Sequence, residues 1–328
     1  MICQGLGLWK VFFNMLTIDV NEYNLQIFKD QPVPNKLAIL DHLGGFDSNF
    51  NNAILTNINA IASPGTRVEI SYLINSFIAE KYPNLKITFS IKQEEKLIPL
   101  LYNYTSPPDI NYKNFICSFN GSTHVGRRFL TAALHKFNWF NPEYCSKNFT
   151  YSIDQLDDHI KEYTGKRERI YRKFFIDDSE FCNQIYSFGH SRHDHANNIY
   201  NLEPKLTGSF LHLVSETLST SYYPFITEKA FYSIVTKGLF LSYAQPRWHK
   251  FLQHYYGFKL YSNIFDYRFD SIENPVERLV ELLSMISKFS HLTAHEWHDL
   301  YLIEKDTIEY NYDWYFSGNY LTWLEQFT

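Results

Sequence analysis

The sequence predicts an α/β fold with a parallel sheet, because short apolar runs of strand character alternate with longer stretches at helical spacing. Residues 37–40, 67–70 and 87–91 are the first such runs, and residues 50–60 between them have helical periodicity. At 328 residues, 45% of them hydrophobic, the chain is long enough for two domains of ordinary size and a substantial core.

Taken in order, the run at 37–40 leads into Asp41-His42-Leu43-Gly44-Gly45-Phe46-Asp47. A strand end beside two glycines lets backbone approach a ligand closely. A competing reading makes this a turn with an aspartate as its cap. Pro107-Pro108 then breaks the pattern and is a natural connection between halves. Phe115, Ile116, Cys117 and Phe119 read as a buried strand ending in the turn dipeptide Asn120-Gly121. Arg127 and Arg128 open a helical run through Leu130, Ala133, Leu134 and Phe137. Residues 151–172 are polar and read as mixed helix and loop. Pro275 is pre-set for the first position of a helix whose apolar face is Leu279, Leu282, Leu283 and Ile286. The domains expected are 1–112, 113–300, and a tail at 301–328 that packs back across the domains, anchored by Trp297, Trp314 and Trp323.

The segment 212–238, HLVSETLSTSYYPFITEKAFYSIVTKG, concentrates the chemistry. Leu213, Val214 and Ser215 form an apolar strand ending at Glu216. Thr227 is a good N-cap for a helix with Ala230, Phe231, Ile234 and Val235 on its apolar side. A helix start carries unpaired N–H groups and partial positive charge, so it attracts phosphate; Lys229 adds a full charge, and Glu228 can accept from sugar hydroxyls. The plainer reading is a cap flanked by solvated charges.

Taken whole, this segment resembles the donor-binding motif of GT-B glycosyltransferases related to the α1,3-fucosyltransferases, above all a fucosyltransferase-like branch common in bacteriophages and other viruses. The family pattern F-[IV]-T-E-K is unbroken from Phe225 to Lys229. A second block, 114–152, is similar to that branch's strand, Asn-containing turn, basic helix start and later Tyr-Ser. Where the family shows Leu-Asn-Arg, this chain has Phe119-Asn120-Gly121. Gly257-Phe258-Lys259, Phe265-Asp266 and the stretch 274–279 follow the family's later cadence.

The resemblance implies a GT-B fold, two Rossmann-like domains facing across a cleft, with the nucleotide held mainly by the second. It implies a metal-independent glycosyltransferase that moves a sugar from a nucleotide-sugar donor to a hydroxyl. In that reading Arg127 or Arg128 grips the diphosphate with Lys229, Asn120 and Thr227 line the site, Glu228 meets the ribose, and Glu216 lies near the sugar or supports the loop. An inverting enzyme needs a base, which would come from Asp41 or Asp47, ahead of His42, in the first domain, whereas a retaining one can lean on the departing diphosphate. His190 and Arg192, shortly before the strand at Leu211, would reach diphosphate or ribose. Their run Gly189-His190-Ser191-Arg192-His193-Asp194-His195 suggests a metal by composition, but no distant fourth ligand announces itself, so no metal is expected. The acceptor would be a glycan or a hydroxymethylated base of phage DNA. A non-catalytic carbohydrate- or nucleotide-binding viral protein of the same fold is the alternative.

A net charge of −5 gives no overall basic footprint for nucleic acid. The local exception is Lys166, Arg167, Arg169, Arg172 and Lys173, interleaved with Tyr171, which reads either as a solvated helix face or as a contact for a phosphate-rich partner such as DNA. Four cysteines without metal-ligand spacing read as reduced thiols of a cytoplasmic protein. No run approaches the length of a membrane span.

Overall fold

The computed structural model describes residues 11–12, 15–19, 36–40, 66–70, 83–89, 101, 104, 109–175, 178–189, 195–216, 219 and 226–325. Asp41, His42, Asp47, the helix expected at 50–60, His190 and Arg192 lie outside the described residues. The chain divides into two compact units, one of Met1–Lys96, Ser221–Pro224 and Glu325–Thr328, the other of Leu97–Thr220 and Phe225–Leu324.

The first unit holds a five-stranded sheet in the order of the chain: β1 (Val11–Phe12), β2 (Met15–Asp19), β3 (Lys36–Leu40), β4 (Thr66–Ile70) and β5 (Leu85–Phe89). β1 pairs antiparallel with β2, and every later pairing is parallel. Leu16 sits opposite Leu37, Leu37 opposite Val68, and Val68 opposite Ile87. Parallel neighbours need a crossover between them, which is what the spacing of these runs along the chain allows.

The second unit is built on a wholly parallel four-stranded sheet in the order β7-β6-β8-β9: β6 (Asn114–Asn120), β7 (Cys145–Lys147), β8 (Ser209–Ser215) and β9 (Phe240–Tyr243). β8 is buried along its whole length, as an inner strand covered on both faces must be. This is a Rossmann-like α/β domain. Helices α1 (Val125–Lys136), α2 (Ile153–Thr164), α3 (Glu168–Arg172), α4 (Ser179–Asn183), α5 (His195–Thr207), α6 (Glu228–Val235), α7 (Trp248–Tyr256) and α8 (Pro275–Ser287) follow in chain order. α9 (Ala294–Ile303), α10 (Lys305–Phe316) and α11 (Asn319–Glu325) complete the chain.

Local chemistry fixes several ends. Ser152 and Gln155 form a capping box at the start of α2, and the polar stretch 151–172 is α2, a 3-10 turn at Gly165–Arg167 and the short α3. Asn274 accepts from the Val276 and Glu277 N–H groups, and Pro275 takes the first helical position of α8 as expected. Gly257 ends α7 at φ +72°, and an added Cβ there would come within 2.9 Å of the Trp314 ring. The indole N–H groups of Trp297, Trp314 and Trp323 donate to the carbonyls of Phe289, Tyr256 and His254, all in the second unit.

One buried cation closes the sheet edge. Lys147, the last residue of β7, is fully buried and donates to the carbonyls of Phe149, Cys182 and Gln184 at 2.9, 3.1 and 2.6 Å. The rings of Phe149, Tyr151 and Phe181 surround its ammonium at 5.1 to 5.6 Å. Burial pushes its pKa down to about 8. Among the described residues no helix is long and apolar enough to cross a membrane.

Candidate functional site at the strand switch point

The order of the second sheet defines where a ligand fits. β6 connects through α1 to β7 on one side, while β8 connects through α6 to β9 on the other. The direction of winding therefore reverses between β6 and β8, and the crevice beyond their carboxyl ends is the place where such sheets bind ligands. Asn120 ends β6, and Glu216 follows β8. Both sequence blocks singled out for phosphate chemistry thus meet at one end of one sheet.

Arg127 and Arg128 lie in the first turn of α1, which has no acidic residue. Cations at the positive end of a helix dipole oppose it, an arrangement that an anion would relieve. The two arginines differ in surroundings. Arg127 is 3% exposed, its Nε 3.4 Å from the Ser215 carbonyl and its Nη1 on the Ser122 hydroxyl. Arg128 is half-buried and donates to the Thr123 hydroxyl at 2.9 Å. Arg127 is therefore the one that reaches the end of β8.

Glu216 is fully buried, and both its oxygens accept from the Thr227 N–H at 3.2 Å. The carboxylate, rather than the threonine hydroxyl, ties the start of α6 to the strand. Thr227 occupies the N-cap position as expected, yet its side chain makes no capping bond. The Ser215 hydroxyl and the Asn120 side-chain amide oxygen are buried without a hydrogen-bond partner. Buried polar atoms left without partners are the kind of exception that a ligand or water satisfies. Asn120 otherwise braces the edge, donating to the Ser118 hydroxyl at 3.1 Å and the Ser146 carbonyl at 3.2 Å.

Lys229 pairs with Glu228 at 2.6 Å, and neither side chain is more than 17% exposed. Its charge bears on Glu216 and also on the buried His212 of β8. Burial, helped by that ammonium, drops the His212 pKa to about 3, so the ring is neutral. Its Nδ1 is paired with the Ser233 hydroxyl.

Burial pushes the Glu216 carboxyl from 4.5 up to about 7, against the pull of Lys229. A folded carboxyl that holds its proton more tightly than the unfolded one favours the fold at low pH. This contribution is fully present below the ordinary glutamate pKa and is lost as pH rises towards 7 and beyond, to the extent of about 3 kcal/mol. Urea-unfolding free energies measured across that window should fall with pH in the parent protein and run flatter in Glu216→Gln. Parallel curves for the two proteins would reject this role.

Two residues unremarkable in the sequence shape the crevice. Gly126 packs so closely on the loop after β8 that an added Cβ would lie 1.9 Å from the Ser219 hydroxyl. Arg278, 1% exposed, donates to the Ser219 carbonyl at 2.5 Å, to Ala244 at 2.9 Å, to Glu273 at 3.0 Å and to Ile272. It fastens that loop to the end of β9 and to the approach to α8. A nearby buried pair has a structural use: His249 Nδ1 donates to Asp270 at 2.7 Å, and its Nε2 accepts from the Ser242 N–H at 3.0 Å, which caps the free edge of β9.

Among the described residues no group of histidines, cysteines and acids is arranged to hold a metal ion. No protein-family model matches the chain, no curated protein matches it, and no solved structure matches it.

Proposed function

We propose that the protein is a glycosyltransferase that binds a nucleotide sugar at the switch point of its second unit and transfers the sugar to a hydroxyl acceptor. The observation that carries this reading is that Arg127 and Lys229 both lie by the end of β8, beside the buried, unsatisfied side-chain oxygens of Asn120 and Ser215. Two cations and the start of α6 suit a diphosphate, whose charge grows as the bond to the sugar breaks. Arg127 presents a planar fork to phosphate oxygens, and Lys229 a point charge. Glu228 is the ribose acceptor, and Glu216 holds the loop between them in place.

In the proposed reaction a base takes the proton of the acceptor hydroxyl as its oxygen bonds to the sugar carbon. The bond from that carbon to the diphosphate breaks, and the departing charge stays on Arg127 and Lys229. Asp41, His42 and Asp47 remain the proposed sources of the base, and His190 and Arg192 the proposed further donor contacts. The GT-B arrangement, with the first unit supplying the acceptor side, belongs to the same proposal. So does a viral setting.

Thermal unfolding with a panel of nucleotides and nucleotide sugars tests it. At a hundredfold excess over the dissociation constant, a specific ligand adds about 2.7 kcal/mol and raises the melting temperature. Stabilisation by one nucleoside diphosphate series, with transfer of its sugar detected by mass spectrometry, is expected. Stabilisation without transfer to glycan or DNA acceptors would favour a non-catalytic binding protein, and no response to any UDP, GDP, CMP or ADP species would remove the reading.

A further inference from the structure

The last residues of the four strands in the second sheet form one row: Lys147, Asn120, Ser215 and Tyr243. Asn120 is in register with Lys147, and Ser215 with Tyr243. β6 and β8 keep one register from Asn114 opposite Ser209 to Cys117 opposite His212, and further on the Ser118 hydroxyl donates to the Leu213 carbonyl at 2.7 Å. The same register sets Asn120 beside Ser215. Side chains alternate along a strand, and in-register neighbours on parallel strands share a face, so all four lie on one face at the carboxyl edge.

The ends of this row are tied and its middle is not. Lys147 donates to three carbonyls, and the Tyr243 hydroxyl donates to the Pro275 carbonyl at 3.0 Å. Between these two large side chains stand the smaller Asn120 and Ser215, both 0% exposed. The Asn120 amide nitrogen donates to the Ser118 hydroxyl and the Ser146 carbonyl, which fixes the amide and leaves its Oδ1 without a partner; the Ser215 hydroxyl has none either. The first turn of α1 abuts the row. A Cβ added to Gly126 would lie 3.2 Å from the Tyr243 ring, and Arg127 Nε is 3.4 Å from the Ser215 carbonyl.

We infer that Asn120 and Ser215 together hold one hydroxyl of the transferred sugar, an inference that rests on the transferase reading and adds a subsite for the donor's sugar to it. A hydroxyl suits the pair because it donates to the amide oxygen and accepts from the serine. A phosphate oxygen has no proton for the amide and meets another acceptor there. The guanidinium given to the diphosphate sits on the carbonyl of Ser215 itself, so a group that reaches the Ser215 hydroxyl is one bonded directly to that diphosphate. Ribose and sugar both meet this condition, and the ribose belongs to Glu228; the base is a whole ribose away. In so dry a site, a ligand lacking the hydroxyl leaves both protein atoms unpaired, which makes the pair a reader of one hydroxyl position.

Calorimetric titration of the parent and Ser215→Ala tests this with UDP-glucose, UDP-galactose, GDP-mannose, GDP-fucose and ADP-glucose, each beside its nucleoside diphosphate. For the pair in which the sugar adds most affinity to the parent, Ser215→Ala is expected to weaken the nucleotide sugar about three- to tenfold, the worth of one neutral hydrogen bond, and to leave the nucleoside diphosphate unchanged. Without ligand, its melting temperature should equal or exceed that of the parent, because the change removes a buried hydroxyl that has no internal partner. Single-deoxy forms of the same nucleotide sugar locate the hydroxyl: one of them should weaken binding to the parent but not to the variant. Unchanged affinity for the nucleotide sugar in Ser215→Ala means a buried water only and overturns the subsite. Equal weakening of both members of the pair, a lowered melting temperature without ligand, or a parent that gains nothing from the sugar in any pair also overturns it. These results leave the diphosphate site standing. A parent that binds neither member of any pair fails the transferase reading itself.

Discussion

Arg278→Ala is expected to lower the unfolding free energy by about 3–5 kcal/mol, because it unpairs several buried carbonyls, at about 1–3 kcal/mol each, and removes a large buried side chain. The guanidinium is 1% exposed and satisfies carbonyls of Ser219, Ala244, Ile272 and Glu273. Truncation leaves these acceptors in a dry site and opens a void beside the Tyr243 ring, whose centroid is 6.0 Å from the guanidinium carbon. Arg278→Lys should recover only part of the loss, because one ammonium cannot reproduce a planar fork spread over four carbonyls. Urea denaturation of the three proteins checks this, and a loss under about 1 kcal/mol for the alanine variant would show that the loop after β8 is held by other means.

Lys229→Ala should act on binding instead. Removing a charge-assisted contact to a diphosphate costs about 1.5–3 kcal/mol, or roughly ten- to 150-fold in the dissociation constant. The paired Glu228 side chain is then left without its cation, so the negative charge near the phosphates adds to the loss. Stability should change little by comparison, since the ammonium is not the sole support of α6: the Thr227 N–H remains on Glu216. Calorimetric titration of the nucleotide that gives the largest thermal shift provides the number. An unchanged dissociation constant in a folded variant would take Lys229 out of the site.

What could be read from the sequence followed local signals. The strand into Asn120, the junction at Thr227 and the proline-led start of α8 each depend on residues a few positions apart, and all appear in the structure where the pattern put them. Strand limits moved by a residue or more, as with β5, which runs Leu85–Phe89 rather than 87–91, because an apolar run does not say where ladder pairing stops. The parts that were missed are contacts between distant segments. Nothing near Gly126 in the chain announces Ser219, and nothing near Arg278 announces the loop it fastens. The two arginines at the start of α1 looked interchangeable, and only the proximity of Ser215 separates them. Thr227 was legible as a cap position, while the atom that performs the tie belongs to Glu216.

The caged amine of Lys147 has a practical consequence. Acylating reagents attack the unprotonated amine, and burial, which lowers this lysine's pKa to about 8, enriches that form only while the fold is closed. Yet it is wholly enclosed, so reagent meets it only when the short edge strand comes away from its neighbours. The rate at which that single adduct accumulates is a built-in clock for local opening of the sheet, separate from the labelling of exposed lysines such as Lys166.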